Sequence, residues 1–456
     1  MPYRILIAAA LVTLLGPCST LSQAHAAEKP PNILLIYADD LGWGDVGFNG
    51  RKEWATPNLD KLGARGTIFK RFYAAAVVCA PSRAALMTGK CTIHNGVSRN
   101  NDDLPSREVT IAEALRDHGY ATALFGKWHH GIAVEGEPLA RRYAGERAPY
   151  VHPLDQGFEE FFGFTDAVHA WEKFPKTLWE GRERKPSSGY ADDLFADRTI
   201  DYLRRHQKSE RPVFIYLAPI SAHFNIEAPE DEIALHKGNF PEANPEHPLR
   251  ATYAAQVTRL DKQVGRVLAT LDELGLAENT LIVFTSDHGA TFEKGNLGVS
   301  NFHDSNRPFR GQKRTLWEGG VRVPAIACWP GHIPDGSVSN DVIHMTDVLP
   351  TLLAAAGAQP EPAWHVDGLN QWPAWTGKST APADRTLFWE WRSEGSDQIA
   401  AMRAAFKLVI TSGGRPELFD VVADPAERRN ISAEHPDVVE QLQNGLKAWL
   451  ATELHH

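Results

Sequence analysis

The stretch Cys79-Ala80-Pro81-Ser82-Arg83 has the form C-x-P-S-R and runs into Ala84-Ala85-Leu86-Met87, which reads as a helix. Pro81 suits a first helical turn, where its missing N–H leaves nothing unpaired. The free N–H groups of that turn and the Arg83 side chain would make the position electropositive, which favours a thiolate or another anionic nucleophile. A small buried cysteine beside a helix start is the ordinary alternative. Asp39-Asp40 and Asp287-His288 each directly follow an apolar run. If the fold joins them, three carboxylates and an imidazole would suit a divalent cation, and an oxygen-rich set favours Ca2+ or Mg2+. Lys127, His129, His223 and Lys313 add cations and a proton donor, as the transfer of an anionic ester group requires. A single Lys or His in a loop is usually a solvated surface residue, so these candidates stand only in combination.

The surrounding elements are those of an α/β fold. Asn32 to Ala38 is a continuous apolar run, as expected of a strand buried on both faces of a parallel sheet, and Asp39-Asp40 lies at its carboxyl end. That edge is where open α/β sheets bind ligands. Val213 to Ala218 and Thr280 to Thr285 read the same way; the first leads to His223 and the second to Asp287-His288. Ala121 to Phe125 is a short strand before Gly126-Lys127-Trp128-His129, and Val323 to Trp329 is another. Helices are predicted from Thr56, from Val109 to Leu115, from Ala254 to Leu274 and from Asp347 to Ala356. Residues 132 to 190, rich in Gly, Pro, charge and aromatics, read as long loops over the sheet. Past Pro360 the pattern changes to short antiparallel strands, Gln398 to Met402 and Phe406 to Ile410, and a closing helix, Asp437 to Ala451. The expected fold is a large, mostly parallel sheet flanked by helices over 27–375, with a smaller C-terminal α+β subdomain over 376–456.

These motifs resemble the type I sulfatases of the alkaline phosphatase superfamily. Asn32 to Asp45 resembles the opening of that family, and Thr285-Ser286-Asp287-His288-Gly289 its second metal segment. Gly126 to His129 matches G-K-W-H, and Arg310 to Pro324 matches R-G-x-K…E-G-G-x-R-V-P. The resemblance implies that Cys79 is oxidised to Cα-formylglycine by a maturation enzyme. Asp39, Asp40, Asp287 and His288, with residue 79, would then carry one Ca2+. It further implies that a hydroxyl of the aldehyde hydrate attacks sulfur and that sulfate leaves by C–O cleavage. Arg83 would help hold the hydrate, Lys127 and Lys313 would contact the sulfate, His129 would lie near the hydrate, and His223 would protonate the leaving oxygen. Two departures are visible. Many members carry Asn at the position of His288. The family usually reads A-P-H where this chain has Ser221-Ala222-His223. The N-acetylgalactosamine-sulfatase and arylsulfatase branches are nearest, and a sulfated carbohydrate is the expected substrate class. The rival readings are a phosphonate or phosphate monoester hydrolase of the same superfamily, and a non-catalytic glycan-binding relative.

Composition bounds the rest. The 456 residues are 43% hydrophobic and 23% charged, ordinary for a globular chain, and the formal net charge of -10 argues against a general nucleic-acid binder. Arg4, the apolar run Ile5 to Leu15 and Ala24-His25-Ala26 read as a signal peptide over 1–26, so export to a periplasm or the medium is expected. No later segment reads as a membrane span. Removing the signal leaves Cys79, Cys91 and Cys328; whether the last two pair is left open. Loops around His169, Trp171, His303 and Arg307 are the candidates for specificity.

Overall fold

The computed structural model describes Met1 and residues 29–130, 151–393 and 397–452. The expected signal peptide and residues 132–150 of the expected loop region lie outside the described residues. The large sheet contains β1 (Asn32–Ala38), β2 (Thr67–Tyr73), β3 (Ala121–Lys127), β4 (Glu160–Phe164), β5 (Thr177–Glu180), β6 (Glu183–Pro186), β7 (Val213–Ala218), β8 (Thr280–Ser286), β9 (Arg322–Cys328) and β10 (Ser337–His344). Their order is β10-β2-β9-β8-β1-β7-β3-β4-β5-β6. The central run β8-β1-β7-β3-β4 is parallel, whereas β9 runs antiparallel to both neighbours and β5 and β6 are antiparallel additions at one edge.

β1 shows why the apolar runs sit centrally. Ile33, Leu35 and Tyr37 face one core, with the helix that begins at Cys79. Leu34, Ile36 and Ala38 face the other, with Val257, Leu260 and Val264 of the helix Leu249–Glu273. Alternate side chains of a strand point to opposite faces, so only a strand covered on both sides is apolar throughout. The β1–β8 register pairs Ala38 with Ser286, which sets Asp39-Asp40 beside Asp287-His288.

The described part of the expected loop region is more ordered than its composition suggests: residues 151–190 contain β4, β5 and β6. Glu183-Arg184-Lys185-Pro186 and the other short edge segments carry charge and proline, which protect a sheet edge but make a strand look like a loop.

The C-terminal sheet is antiparallel and separate: β11 (Thr386–Trp391), β12 (Gln398–Arg403), β13 (Phe406–Thr411) and β14 (Glu417–Asp420). One face packs Leu418 and Leu408 on Leu442 and Leu446 of the closing helix Pro436–Leu450. The other packs Trp389, Met402 and Phe419 against Val77, Val78 and Leu316, which flank Cys79 and Lys313 in sequence. The small sheet therefore backs two segments of the site. Among the described residues Cys79, Cys91 and Cys328 are all free thiols, and no helix is long and apolar enough to cross a membrane.

Candidate active site

Cys79 is the first residue of the helix Cys79–Thr88, following extended Val78. Its thiol is 1% exposed. Around Sγ lie His288 Nε2 at 3.4 Å, Lys313 Nζ at 3.5 Å and Asp40 Oδ1 at 4.0 Å. Burial alone would raise the thiol pKa, but Lys127, Lys313 and His288 pull it well below the ordinary thiol range. The sequence therefore places its one nucleophile candidate where an anion is stabilised.

The two acidic pairs converge as the register requires. The Asp40 N–H donates to Asp287 Oδ1 (3.0 Å), and the Ser82 hydroxyl donates to the Asp287 carbonyl (2.6 Å), tying the helix that begins at Cys79 to the end of β8. Ligand atoms of Asp40, Cys79, Asp287 and His288 all lie within 4.8 Å of one another, and all four residues are buried. The Asp39 carboxylate is at the edge of this group. It accepts Lys127 Nζ at 2.7 and 3.0 Å and the Arg83 guanidinium at 3.1 Å. Arg83 also reaches Asp287 (3.3 Å), the Lys127 carbonyl and Tyr216, so it braces both carboxylates from beneath.

The donor set fits a divalent cation. Burial drives the Asp287 carboxyl well above the usual carboxylate range; His288 offsets part of this, while Cys79 and Asp39 add to it. Burial would lower His288, but Asp287, Cys79 and Asp40 lift it to about 9. The pocket thus demands positive charge between its acids. The Nδ1 of His288 donates to the Gly289 carbonyl (3.0 Å), which turns Nε2 toward Cys79 and Asp40. A ligating imidazole is oriented in this way.

The remaining candidates surround the thiol. Lys313 Nζ donates to both oxygens of Asp40, at 2.9 and 3.1 Å. His223 Nδ1 donates to the Phe224 carbonyl (2.6 Å), leaving Nε2 3.8 Å from Asp40 Oδ2. His129 is buried beside Cys79, and burial together with Lys127 lowers it to about 4. Asp40 and His129 both hold left-handed backbones, φ 57° and 68°. Such strain in non-glycine residues persists where the surrounding structure imposes it. A Cβ on Gly126 would meet the Ala218 carbonyl oxygen at 2.0 Å, so only glycine lets β3 carry Lys127 so close to β7.

Sequence reasoning missed several supporting groups. Lys173 is fully buried and donates to the Ile220 carbonyl (2.6 Å). Asp192 accepts the Ile220 N–H (2.8 Å), and Tyr190 and Ser221 share a hydrogen bond of 3.0 Å. These groups hold the segment that carries His223. No local pattern announces them, because their burial is decided by distant elements. Among the specificity candidates, Trp171 packs on Phe224 with ring centroids 5.3 Å apart. His303 bonds the Arg250 carbonyl, and Arg307 forks onto Glu53.

Fold and site together define a hydrolase of the alkaline phosphatase superfamily. The family model for sulfatases matches residues 31–358, and that for the C-terminal part of N-sulphoglucosamine sulphohydrolase matches 310–453. The chain belongs to the sulfatase family, and it is a sulfuric ester hydrolase. It is 33% identical over 401 residues to N-acetylgalactosamine-6-sulfatase of Canis lupus familiaris, spanning 80% of this chain and 69% of that protein. It is 32% identical over 450 residues to human arylsulfatase A, spanning 92% and 83%. The solved structure of Ps i-CgsB in complex with k-i-k-neocarrahexaose superposes with a TM-score of 0.81 at 28% identity, covering 93% of this chain and 94% of that one.

Proposed function

We propose that the chain releases inorganic sulfate from a sulfated carbohydrate, using residue 79 after oxidation of its thiol to the formylglycine aldehyde. The observation that carries this reading is the convergence of Asp40, Asp287 and His288 on Cys79, with Lys313 also in contact with the thiol. Relatives named N-acetylgalactosamine-6-sulfatase and a neighbour solved in complex with k-i-k-neocarrahexaose support the carbohydrate substrate. Asp40, Asp287, His288 and residue 79, with Asp39 at the margin, would hold one divalent ion. We take it as Ca2+ because oxygen donors dominate. When bound, the ion supplies charge that lowers the pKa of a hydroxyl on residue 79 and holds the sulfuryl group.

The chain's own groups do the rest. Lys127 and Lys313 neutralise the sulfuryl oxygens as charge spreads onto them. Arg83 fixes Asp39 and Asp287, and through them the orientation of residue 79. His129, neutral at pH 7, takes a proton from residue 79. His223 presents Nε2 to the leaving oxygen and donates its proton there. We further assign residues 27–375 to catalysis and 376–456 to the supporting subdomain. Residues 1–26 we read as a signal for export, and conversion of Cys79 we assign to a separate maturation enzyme.

Mass spectrometry of the peptide that contains residue 79 tests the conversion, because thiol-to-aldehyde exchange lowers its mass. Paired rates on aryl sulfate and aryl phosphate test the reaction. An intact thiol in fully active enzyme, or faster phosphate release, would overturn the proposal.

A further inference from the structure

Beside the buried centre an open cleft of about 510 Å3 separates the loop after Gly96 from the end of β11. Its described lining includes Arg99, Asn100, Arg314, Trp391 and Arg392, with Asp397 as the one acid. Basic residues gathered on one cleft run against the chain's formal charge of -10. We propose that this cleft is a second anion subsite, which takes a sulfate or carboxylate of the same oligosaccharide beyond the ester being cleaved. The proposal rests on the sulfatase reading above.

Three observations carry it. The cleft shares its backbone with the nucleophile turn: Asn100 Oδ1 accepts the N–H of Ala80 (3.2 Å), and the Arg314 N–H donates to the Val77 carbonyl (2.9 Å). Arg314 also directly follows Lys313, which touches Cys79. A ligand bridging cleft and centre would therefore meet both along one stretch of chain.

The walls are joined by a buried group. Glu390, 5% exposed, accepts Ser98 Oγ (3.2 Å) with one oxygen and Arg392 Nε (2.8 Å) with the other. That contact ties the Arg99 loop to the C-terminal sheet, so the basic groups are set by the fold.

Arg314 is held in a left-handed backbone, φ 67°. Its guanidinium lies 5.6 Å from the Trp391 ring, and its Nε pairs with Glu293. This leaves the two Nη atoms, which among the described residues have no hydrogen-bond partner. The Arg99 side chain likewise has none among the described residues, and it is exposed. A planar fork with open N–H groups is suited to a sulfate or carboxylate.

The test uses the full mature chain, 4-nitrophenyl sulfate as a substrate too small to reach the cleft, and a heparin tetrasaccharide as inhibitor. Loss of one charge-assisted contact should raise the inhibition constant by about tenfold in Arg99→Gln and again in Arg314→Gln. In Arg99→Gln the kcat and KM for 4-nitrophenyl sulfate should stay within about twofold of the parent, since Arg99 is exposed and is not among the side chains around Cys79. Added salt should weaken tetrasaccharide inhibition more than it slows nitrophenyl turnover. A desulfated tetrasaccharide that keeps its carboxylates separates the two anion sources. An unchanged inhibition constant in Arg99→Gln, or an equal loss on both ligands, would overturn the subsite. If the enzyme turned over no aryl sulfate at all, the sulfatase reading would fail. Calorimetric binding of the tetrasaccharide to Cys79→Ala, with and without Arg99→Gln, would still decide the subsite.

Discussion

The molecule buries charge in two places, and they differ in completeness. At the junction with the C-terminal sheet, Lys407 on β13 is 0% exposed and donates to Glu318 at 2.9 Å and pairs with Glu427 at 3.2 Å. Glu318 also takes Arg322 (3.1 Å) and the Tyr73 hydroxyl (3.0 Å). Two acids meet two bases, and the group locks the Glu318-Gly319-Gly320 turn to the small sheet. At the strand ends beside Cys79 the same residue types leave an imbalance. The Asp287 carboxyl is pushed well up by burial, and among the described residues neither ring nitrogen of His129 meets a hydrogen-bonding oxygen or nitrogen. Burial of charge alone thus does not distinguish a working site from a strut. Nor does a carboxyl raised by burial, since Glu427 shares that with Asp287; the difference is that Asp287 shares its pocket with the Cys79 thiol and two further side chains able to ligate a metal, whereas Glu427 meets Lys407 and Glu318.

The comparison can be broken most decisively at Cys79. Cys79→Ser should cut multiple-turnover sulfate release by about four orders of magnitude or more, measured as kcat, if residue 79 is the nucleophile proposed above. Its melting temperature should stay near that of the parent. Full activity in this variant would remove the functional half of the contrast.

The junction should respond in the opposite sense. Lys407→Met leaves Glu318 and Glu427 buried without their shared ammonium, a change that typically costs about 3–5 kcal/mol. Chemical denaturation should show that loss. Unaltered stability would mean that the junction is not the strut described.

Lys173→Met tests a group between these extremes. It removes the donor to Ile220 and loosens the His223 segment. We expect kcat to fall about tenfold on a sulfate ester with a poor leaving group, within the range of general acid catalysis, and less on an activated aryl sulfate. Equal losses on both esters would point to a general structural defect.

The smallest expected effect is a pH dependence at the junction. Burial raises Glu427 to about 7, with Lys407 opposing and Glu318 adding to the rise. A carboxyl raised in the fold binds its proton more tightly there than in the unfolded chain. Its contribution to stability is therefore full below about 4.5, the ordinary carboxyl value, and is lost as pH rises through about 7. Between pH 5.5 and 8 the parent should lose about a degree or two of melting temperature relative to Glu427→Gln. Parallel curves for the two proteins would contradict this.

Much of the site was legible because its residues lie in short, distinctive strings at the ends of apolar strands. β1, β7 and β8 announce themselves because both faces are covered, and a strand ending in Asp-Asp or Asp-His fixes those side chains at one edge of the sheet. The Asp39 carboxylate was less legible, since its engagement by Lys127 and Arg83 depends on how β3 approaches β1 across β7. β2, β4, β5, β6 and β10 were not read as strands: Lys70-Arg71 interrupts β2, β6 and β10 are the sheet's edges, and β4 and β5 are short segments beside β6 in a stretch whose charge and glycine resemble loop sequence.

By itself the sequence determined β1, β3, β7, β8 and β9, the helix start at Cys79 and the residue types available for chemistry, since periodicity and local motifs act over a few neighbouring residues. Only the tertiary structure decided which carboxylates share a pocket, that Lys173 and Lys407 are buried, and that a basic cleft joins the small sheet to the nucleophile turn. Those outcomes depend on contacts between residues far apart in the chain, where register and packing set the distances.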